Sequence, residues 1–325
     1  MKQILGIGNA LVDVMAMING DNILQSFSLP KGSMQLVDQA KSESIKAQTV
    51  NFITTITSGG SAANTIYGVA MLGLTTGFIG SIGKDDLGDF FEKEMKNAGI
   101  NTILSRRDSV TGTAVALISP DSERTFATHL GAAVELDARD LNPEYFSSYD
   151  ILYLEGYLIF NKPLVETACR IAKKRKMKIA LDLASYNVVE SRLADFKGII
   201  EKYVDIVFAN EDEARAYTGM GPEEALDYIS KFCEVVVIKA GSEGSWLKRG
   251  SEIIKIGTVK VKVKDTTGAG DLYAAGFLYG YAQNCNLEIC GQYGALLAGT
   301  VIEIIGARLE PDKWQEIKAL LSEIT

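Results

Sequence analysis

A chain of 325 residues, 47% of them hydrophobic and 23% charged, is long enough to bury a sizeable core, and its 6 prolines argue against a disordered or fibrous composition. The formal net charge of −8 argues against a general nucleic-acid or anionic-membrane surface, because such binding rests on neutralising phosphates with Lys and Arg. The four cysteines, Cys169, Cys233, Cys285 and Cys290, form no CxxC pair and His129 stands alone, so reduced, buried thiols are expected rather than a zinc site.

The chain opens with a strand-like run, Gln3 to Gly6, leading into Gly6-Ile7-Gly8-Asn9-Ala10-Leu11-Val12-Asp13. This begins like a dinucleotide fingerprint, but Leu11 stands where the third glycine should be, and a hydride-transfer reading loses its main support. Asp13 is better suited to accept hydrogen bonds from vicinal hydroxyls. Asn9 and Asp13 interrupt the apolar start, and no run approaches the ~20 apolar residues of a membrane span, so a cytoplasmic protein is expected. From about residue 54 onward, short β-branched runs alternate with longer helical patterns, which marks right-handed βαβ crossovers and a mostly parallel sheet covered on both faces. The expected fold class is α/β and doubly wound.

Further strand candidates are Gly77 to Ile79, Ile151 to Leu154, Lys178 to Leu183, Ile206 to Phe208 and Val235 to Lys239, with helices in the gaps. One helix is explicit: Asp85-Asp86 gives an acidic start, Leu87, Phe90, Phe91 and Met95 an apolar face of helical period, and Gly99 a stop. The basic run Lys173, Lys174, Arg175, Lys176 and Lys178 follows the periodic Leu164, Val165, Ala168 and Ile171, and reads as a helix C-terminus favoured by the dipole. Two stretches break the rhythm, residues 11–50 and 111–129, and the second reads as a β-hairpin about the turn Pro120-Asp121-Ser122-Glu123. A single α/β domain over residues 1–325 is therefore expected to carry a small β lid made from these two insertions, since lids exclude water from reactive phosphates. Its edges can be buried in a second copy or left free, so monomer and homodimer both stay open.

The most informative stretch is Asp265-Thr266-Thr267-Gly268-Ala269-Gly270-Asp271, a glycine-rich loop opening the apolar helix LYAAGFLYGYA. Amides at a helix start have no intrahelical partners, and without bulky side chains Gly268, Ala269 and Gly270 can close around an anion at the positive end of the dipole. Asp271 then lies beside that hole, where its carboxylate can take a hydroxyl proton as the oxygen attacks a phosphorus. The same pattern also suits an Asp in the first turn of a closely packed helix. In Ser58-Gly59-Gly60-Ser61-Ala62-Ala63-Asn64-Thr65, Gly59 and Gly60 let backbone approach a ligand and Asn64 offers donor and acceptor to hydroxyls, although small residues also serve helix packing. Asn210 and Glu213, three apart at a helix start, can face hydrated Mg²⁺ and phosphate oxygens or simply cap the helix. Lys239-Ala240-Gly241-Ser242-Glu243-Gly244-Ser245 can lie along a nucleotide or form a hairpin turn.

In this order GNALVD, GGSAANT, IGKDDLG, NEDE, KAGSEGS and DTTGAGD resemble the ribokinase-like (PfkB) family of ATP-dependent sugar and nucleoside kinases over nearly the whole chain. The resemblance implies Asp271 as base, Gly268 to Gly270 as anion hole, and Asn210 with Glu213 as the Mg²⁺-phosphate pair. It implies Lys239, Gly241, Gly244 and Thr266 at the ATP, and Asp13, Gly59, Gly60 and Asn64 at the acceptor hydroxyls. Asp265 and Thr267 match the place where many relatives bind a monovalent cation, here potassium. GNALVD, Met34-Gln35-Leu36-Val37, TGTAVALI, ERTFATHLGAA, LEGYLIF and YVDIVFANEDEA look more like adenosine kinases than hexose kinases. By that likeness Asn9, Leu11, Gln35, Phe126 and Leu158 wall a nucleobase and Arg124 reaches the transferred phosphoryl. The expected reaction is phosphorylation of adenosine to AMP, with a sugar kinase as the alternative and a catalytically silent nucleoside or sugar binder as the rival from another class.

Overall fold

Apolar, β-branched runs such as Val235-Val236-Val237-Ile238 form strands buried on both faces, and the amphipathic stretches between them form helices that cover those faces. The computed structural model describes residues 1–121 and 123–324; Ser122 of the expected turn lies outside them. The strands in chain order are β1 (Ile4–Ile7), β2 (Leu11–Met17), β3 (Met34–Leu36), β4 (Ile53–Gly59), β5 (Thr76–Gly83), β6 (Asn101–Arg107), β7 (Gly112–Ile118), β8 (Arg124–His129), β9 (Ile151–Glu155), β10 (Lys178–Asp182), β11 (Ile206–Asn210), β12 (Val235–Lys239), β13 (Ser245–Arg249) and β14 (Glu252–Ile256).

A nine-stranded sheet runs β14-β13-β12-β11-β10-β9-β1-β5-β6, parallel throughout except where β13 pairs antiparallel with β12 and β14. The doubly wound α/β expectation is met, and each expected strand is present. β6, β13 and β14 were not foreseen; the stretch after Lys239 makes the hairpin between β12 and β13, with Gly244 in a positive-φ conformation. The helix Asp86–Asn97 starts on Asp85, whose side chain accepts from the Gly88 amide, and it buries Phe91 and Met95. The basic run ends the helix Lys162–Lys174, with Lys173 on Asp205 at 2.6 Å. The cysteines are free, and among the described residues no helix is long and apolar enough to cross a membrane.

A second, five-stranded sheet runs β3-β8-β7-β2-β4, and β7 with β8 makes the expected antiparallel hairpin. It draws on both stretches that broke the βαβ rhythm and also on β4, which runs on into the glycine pair. Alternation along the strands splits its side chains between two faces. Val12, Val14, Val115, Leu117 and Ala127 enter the main core with Ile45, whereas Met15, Ala116 and Ile118 form a separate apolar cluster with Phe126.

Candidate active site

Parallel strands deliver their last residues to one edge of the sheet, the usual place for chemistry in doubly wound folds. Here β9, β10, β11 and β12 end on Glu155, Asp182, Asn210 and Lys239, with Asp182 opposite Glu155 and Asn210 opposite Lys239 in register. The helix Ala269–Ala282 meets this edge with its N-terminus. Gly268 caps that helix at φ 75°, and a Cβ there would stand 2.5 Å from that of Ala307, so glycine is required by both conformation and space.

Asp271 lies in the first turn, with Ser61 Oγ donating to its Oδ1 at 2.7 Å and Asn64 Nδ2 to its Oδ2 at 3.0 Å. Burial pushes its carboxyl up to about 6, against the two side-chain bonds, which hold it down. Ser61 and Asn64 sit on the helix Ser61–Met71, whose N-cap is Gly60 at φ 99°; a Cβ there would lie 2.1 Å from the Asn9 carbonyl oxygen. Next to it, a Cβ on Gly59 would fall 2.3 Å from the Asp13 carboxylate, so GGSAANT is the chain's way of bringing backbone against β2. Asp13 is buried, and burial pushes it up to about 7; Arg308 opposes the shift while Asp271 and Glu94 add to it.

Two cavities meet at the loop. One of about 420 Å³ is lined by Ser61, Asp182, Asn210, Glu213, Lys239, Gly268, Gly270 and Asp271 among others. The other, about 510 Å³ and mostly apolar, includes Lys239, Gly241, Gly244, Val259, Thr266, Ala269, Gly270 and Tyr273. Lys239, Gly241 and Gly270 line both, so the junction is where an extended anion would pass from one to the other. Lys239 Nζ lies 2.9 Å from Asp182 Oδ2; burial works against its charge, but the Asp182 and Glu213 carboxylates overcome this and raise its pKa.

Asn210 and Glu213 form a reciprocal capping box, with Glu213 accepting from both the amide and the side chain of Asn210, so the capping reading is realised while both residues still line the polar cavity. Burial raises the Glu213 carboxyl, with Asp182 adding and Lys239 opposing. No group of three or more His, Cys, Asp or Glu able to cage a metal occurs among the described residues. The acidic side chains around this cavity, Asp182, Glu211, Asp212 and Glu213, fit a hydrated Mg²⁺ carried mainly by phosphate oxygens, since Mg²⁺ keeps several waters.

Other expected residues are placed differently. Arg124 pairs with Asp265, and its Nη1 lies 3.4 Å from Thr267 Oγ1. Asp265 also accepts from the amides of Thr267 and Gly306, so the positive charge the structure sets at the Asp265–Thr267 pair is a guanidinium. Gln35 pairs with Ala127 in register, whereas Phe126 pairs with Met34; strand alternation therefore puts Gln35 on the face opposite Phe126, and its amide donates to Ser33 Oγ at 3.2 Å. Gln35 and Phe126 cannot wall one nucleobase together. Leu158 is buried in the core cluster with Leu154 and Leu183, and Asn9 donates its amide and its side chain to Glu155. Leu11 opens β2 on the Asp13 face.

Three further groups escaped the sequence reading. Glu155, at the end of β9, accepts from Asn9 and from the Ala62 amide at 2.8 Å, and burial pushes it up to about 7. Asp182 positions Lys239. Both stand as a carboxylate closing an apolar run, a signal that the strand-end rule makes readable. Arg308, which donates to Ser58 Oγ at 2.7 Å and lies 3.8 Å from the Tyr67 ring centre, has no periodic pattern to announce it.

Residues 33–314 match the sequence pattern described as pfkB family carbohydrate kinase. The chain is 31% identical over 260 residues to a 5-dehydro-2-deoxygluconokinase of Bacillus subtilis, covering 75% of this chain and 80% of that one. A probable sugar kinase of Rhizobium etli superposes with a TM-score of 0.89 at 32% identity, over 98% of this chain and 99% of that one. An adenosine kinase of Sinorhizobium meliloti superposes with a TM-score of 0.88 at 33% identity, over 100% and 99%.

Proposed function

Since the chain belongs to the PfkB family of carbohydrate kinases, a family that uses ATP, we propose that it transfers the γ-phosphoryl group of ATP to a primary hydroxyl of a nucleoside, with adenosine going to AMP. Asp271 takes the hydroxyl proton, the freed oxygen bonds to the γ-phosphorus, and the bond to the bridging oxygen of ADP breaks. The apolar cavity suits the base of ATP, its phosphates pass Lys239 and Gly270 at the junction, and the loop amides with Lys239 stabilise the charge that develops on the transferred group. Asn210 and Glu213 would hold a hydrated Mg²⁺ beside the phosphates, where the ion would supply neutralisation of their charge.

The observation that carries the nucleoside reading is the face of the small sheet that holds Asp13. Asp13 and Met15 project from the same side of β2, Met15 pairs with Ala116, Ala116 with Phe126, and Phe126 with Met34. A carboxylate for ribose hydroxyls thus adjoins an apolar, aromatic stripe suited to a purine face. The buried Asn64 Oδ1 has no hydrogen-bond partner and supports phosphoryl transfer to a hydroxyl, as an acceptor for the incoming group beside Asp271. A sugar acceptor is the second reading, favoured by the likeness to the Bacillus subtilis 5-dehydro-2-deoxygluconokinase. Mass spectrometry of the products from adenosine, inosine, ribose and fructose with Mg-ATP tests the choice: AMP as the main product supports the nucleoside, and a phosphorylated free sugar alone overturns it.

A further inference from the structure

Arg308 belongs to no motif of the sequence, yet its guanidinium lies on the acceptor side of the cleft, against Ser58 and Tyr67. It stacks on Tyr67 at 3.8 Å and donates from Nη2 to Ser58 Oγ at 2.7 Å, while its buried Nε and Nη1 take no partner. Ser58 pairs with Val12 on β2, and the next residue, Gly59, is the one whose missing Cβ makes room for the Asp13 carboxylate. The Ser58 amide donates to Glu94. We propose that Arg308, held against Tyr67 and against Ser58 on the strand paired with β2, is a positioning residue for the acceptor site whose positive charge keeps Asp13 as the ionised carboxylate that meets the acceptor hydroxyls.

The groups that face Asp13 come from three elements. Glu94 comes from the helix Asp86–Asn97, Asp271 from the helix Ala269–Ala282, and Arg308 from the loop that follows the helix Leu287–Val301. Two of these are acidic and disfavour a charged Asp13, as burial does; Arg308 is the opposing charge. Leaving one guanidinium with unmet hydrogen bonds is costly, and that cost fits a group retained for its charge rather than for its contacts. A neutral side chain at 308 should leave Asp13 protonated over a wider pH range, and a protonated Asp13 accepts substrate hydroxyls poorly.

This inference rests on Asp13 as the acceptor-binding carboxylate, so its test has one arm that needs no turnover. In Arg308→Met the acceptor KM should rise about fivefold at pH 7 and less than about twofold at pH 9, as for loss of roughly one pKa unit of support. The KM for ATP and kcat at pH 9 should change little, and Arg308→Lys should recover most of the loss. A rise in KM that is equal at both pH values and is not recovered by Lys would show a purely structural role and overturn the proposal. Independently, carboxyl-¹³C NMR, with the Asp13 resonance assigned by its absence in Asp13→Asn, should show the titration of Asp13 displaced upward in Arg308→Met. An unmoved titration overturns the proposal whatever the acceptor proves to be, and a displaced one sustains it even if no nucleoside or sugar tried is phosphorylated.

Discussion

Asn64 gives its amide to Asp271 Oδ2 at 3.0 Å while its own carbonyl oxygen is buried without a partner, so one side chain holds the base and keeps an acceptor open beside it. A buried acceptor left unmatched costs on the order of 1–3 kcal/mol, a cost an incoming hydroxyl would relieve. Asn64→Ala should therefore lower kcat/KM by roughly 10–100-fold, the loss of one or two such bonds, with the melting temperature little changed. Steady-state kinetics on the purified variant check this; an unchanged kcat/KM would remove Asn64 from the site.

The base must be ionised to accept a proton, and burial has moved Asp271 up to about 6. Below that value kcat/KM should fall at least about tenfold per pH unit, with protonation of Asp13 below about 7 adding to the fall, and at higher pH it should level off. In Ser61→Ala, which removes the 2.7 Å bond to the carboxylate, the bend in the profile should move to higher pH. A profile flat between pH 5 and 8 in the native enzyme would contradict the assignment.

Stability should run the other way. Asp13 and Glu155 are pushed up to about 7 and Asp271 to about 6, so between roughly pH 4 and 7 the folded state binds more protons than the unfolded one. Stability is then largest at the acidic end of that window and is lost as pH rises through the folded values. Urea unfolding should give a free energy lower at pH 7.5 than at pH 5 by at least about 2 kcal/mol. The surface carboxylates that are held down, such as Asp85 and Glu92, matter only at more acidic pH.

Gly60 combines φ 99° with a Cβ position 2.1 Å from the Asn9 carbonyl oxygen. Gly60→Ala should push the helix Ser61–Met71 away from β2, destabilising the protein by roughly 1–3 kcal/mol and lowering kcat through the displaced Ser61 and Asn64. Denaturant midpoints and kinetics on the same preparation check both effects, and a normal kcat in a folded variant would show that the helix start tolerates displacement.

The fold was readable because apolar runs and glycine punctuation recur along the chain, and DTTGAGD could be placed at a helix start from its glycines and the apolar run LYAAGFLYGYA that follows them. β13 and β14 escaped because half-exposed strands such as Glu252-Ile253-Ile254-Lys255-Ile256 lack a continuous apolar run. Gln35 was grouped with Phe126 by resemblance alone, and the pairing of β3 with β8 that sets them on opposite faces is a tertiary register that three residues of strand do not announce. Arg308 was invisible for a different reason: its importance lies in the tertiary approach of the loop around residue 308 to β4, which no local pattern encodes. Glu155 and Asp182 were legible in principle, as carboxylates closing buried parallel strands.

The most direct test is ADP release by purified protein with Mg-ATP and adenosine, for the native chain and for Asp271→Asn. Turnover by the native enzyme that falls by roughly 10²–10⁴ in the variant, with ATP still bound, is the result predicted for Asp271 as general base. Near-normal turnover in Asp271→Asn would contradict it.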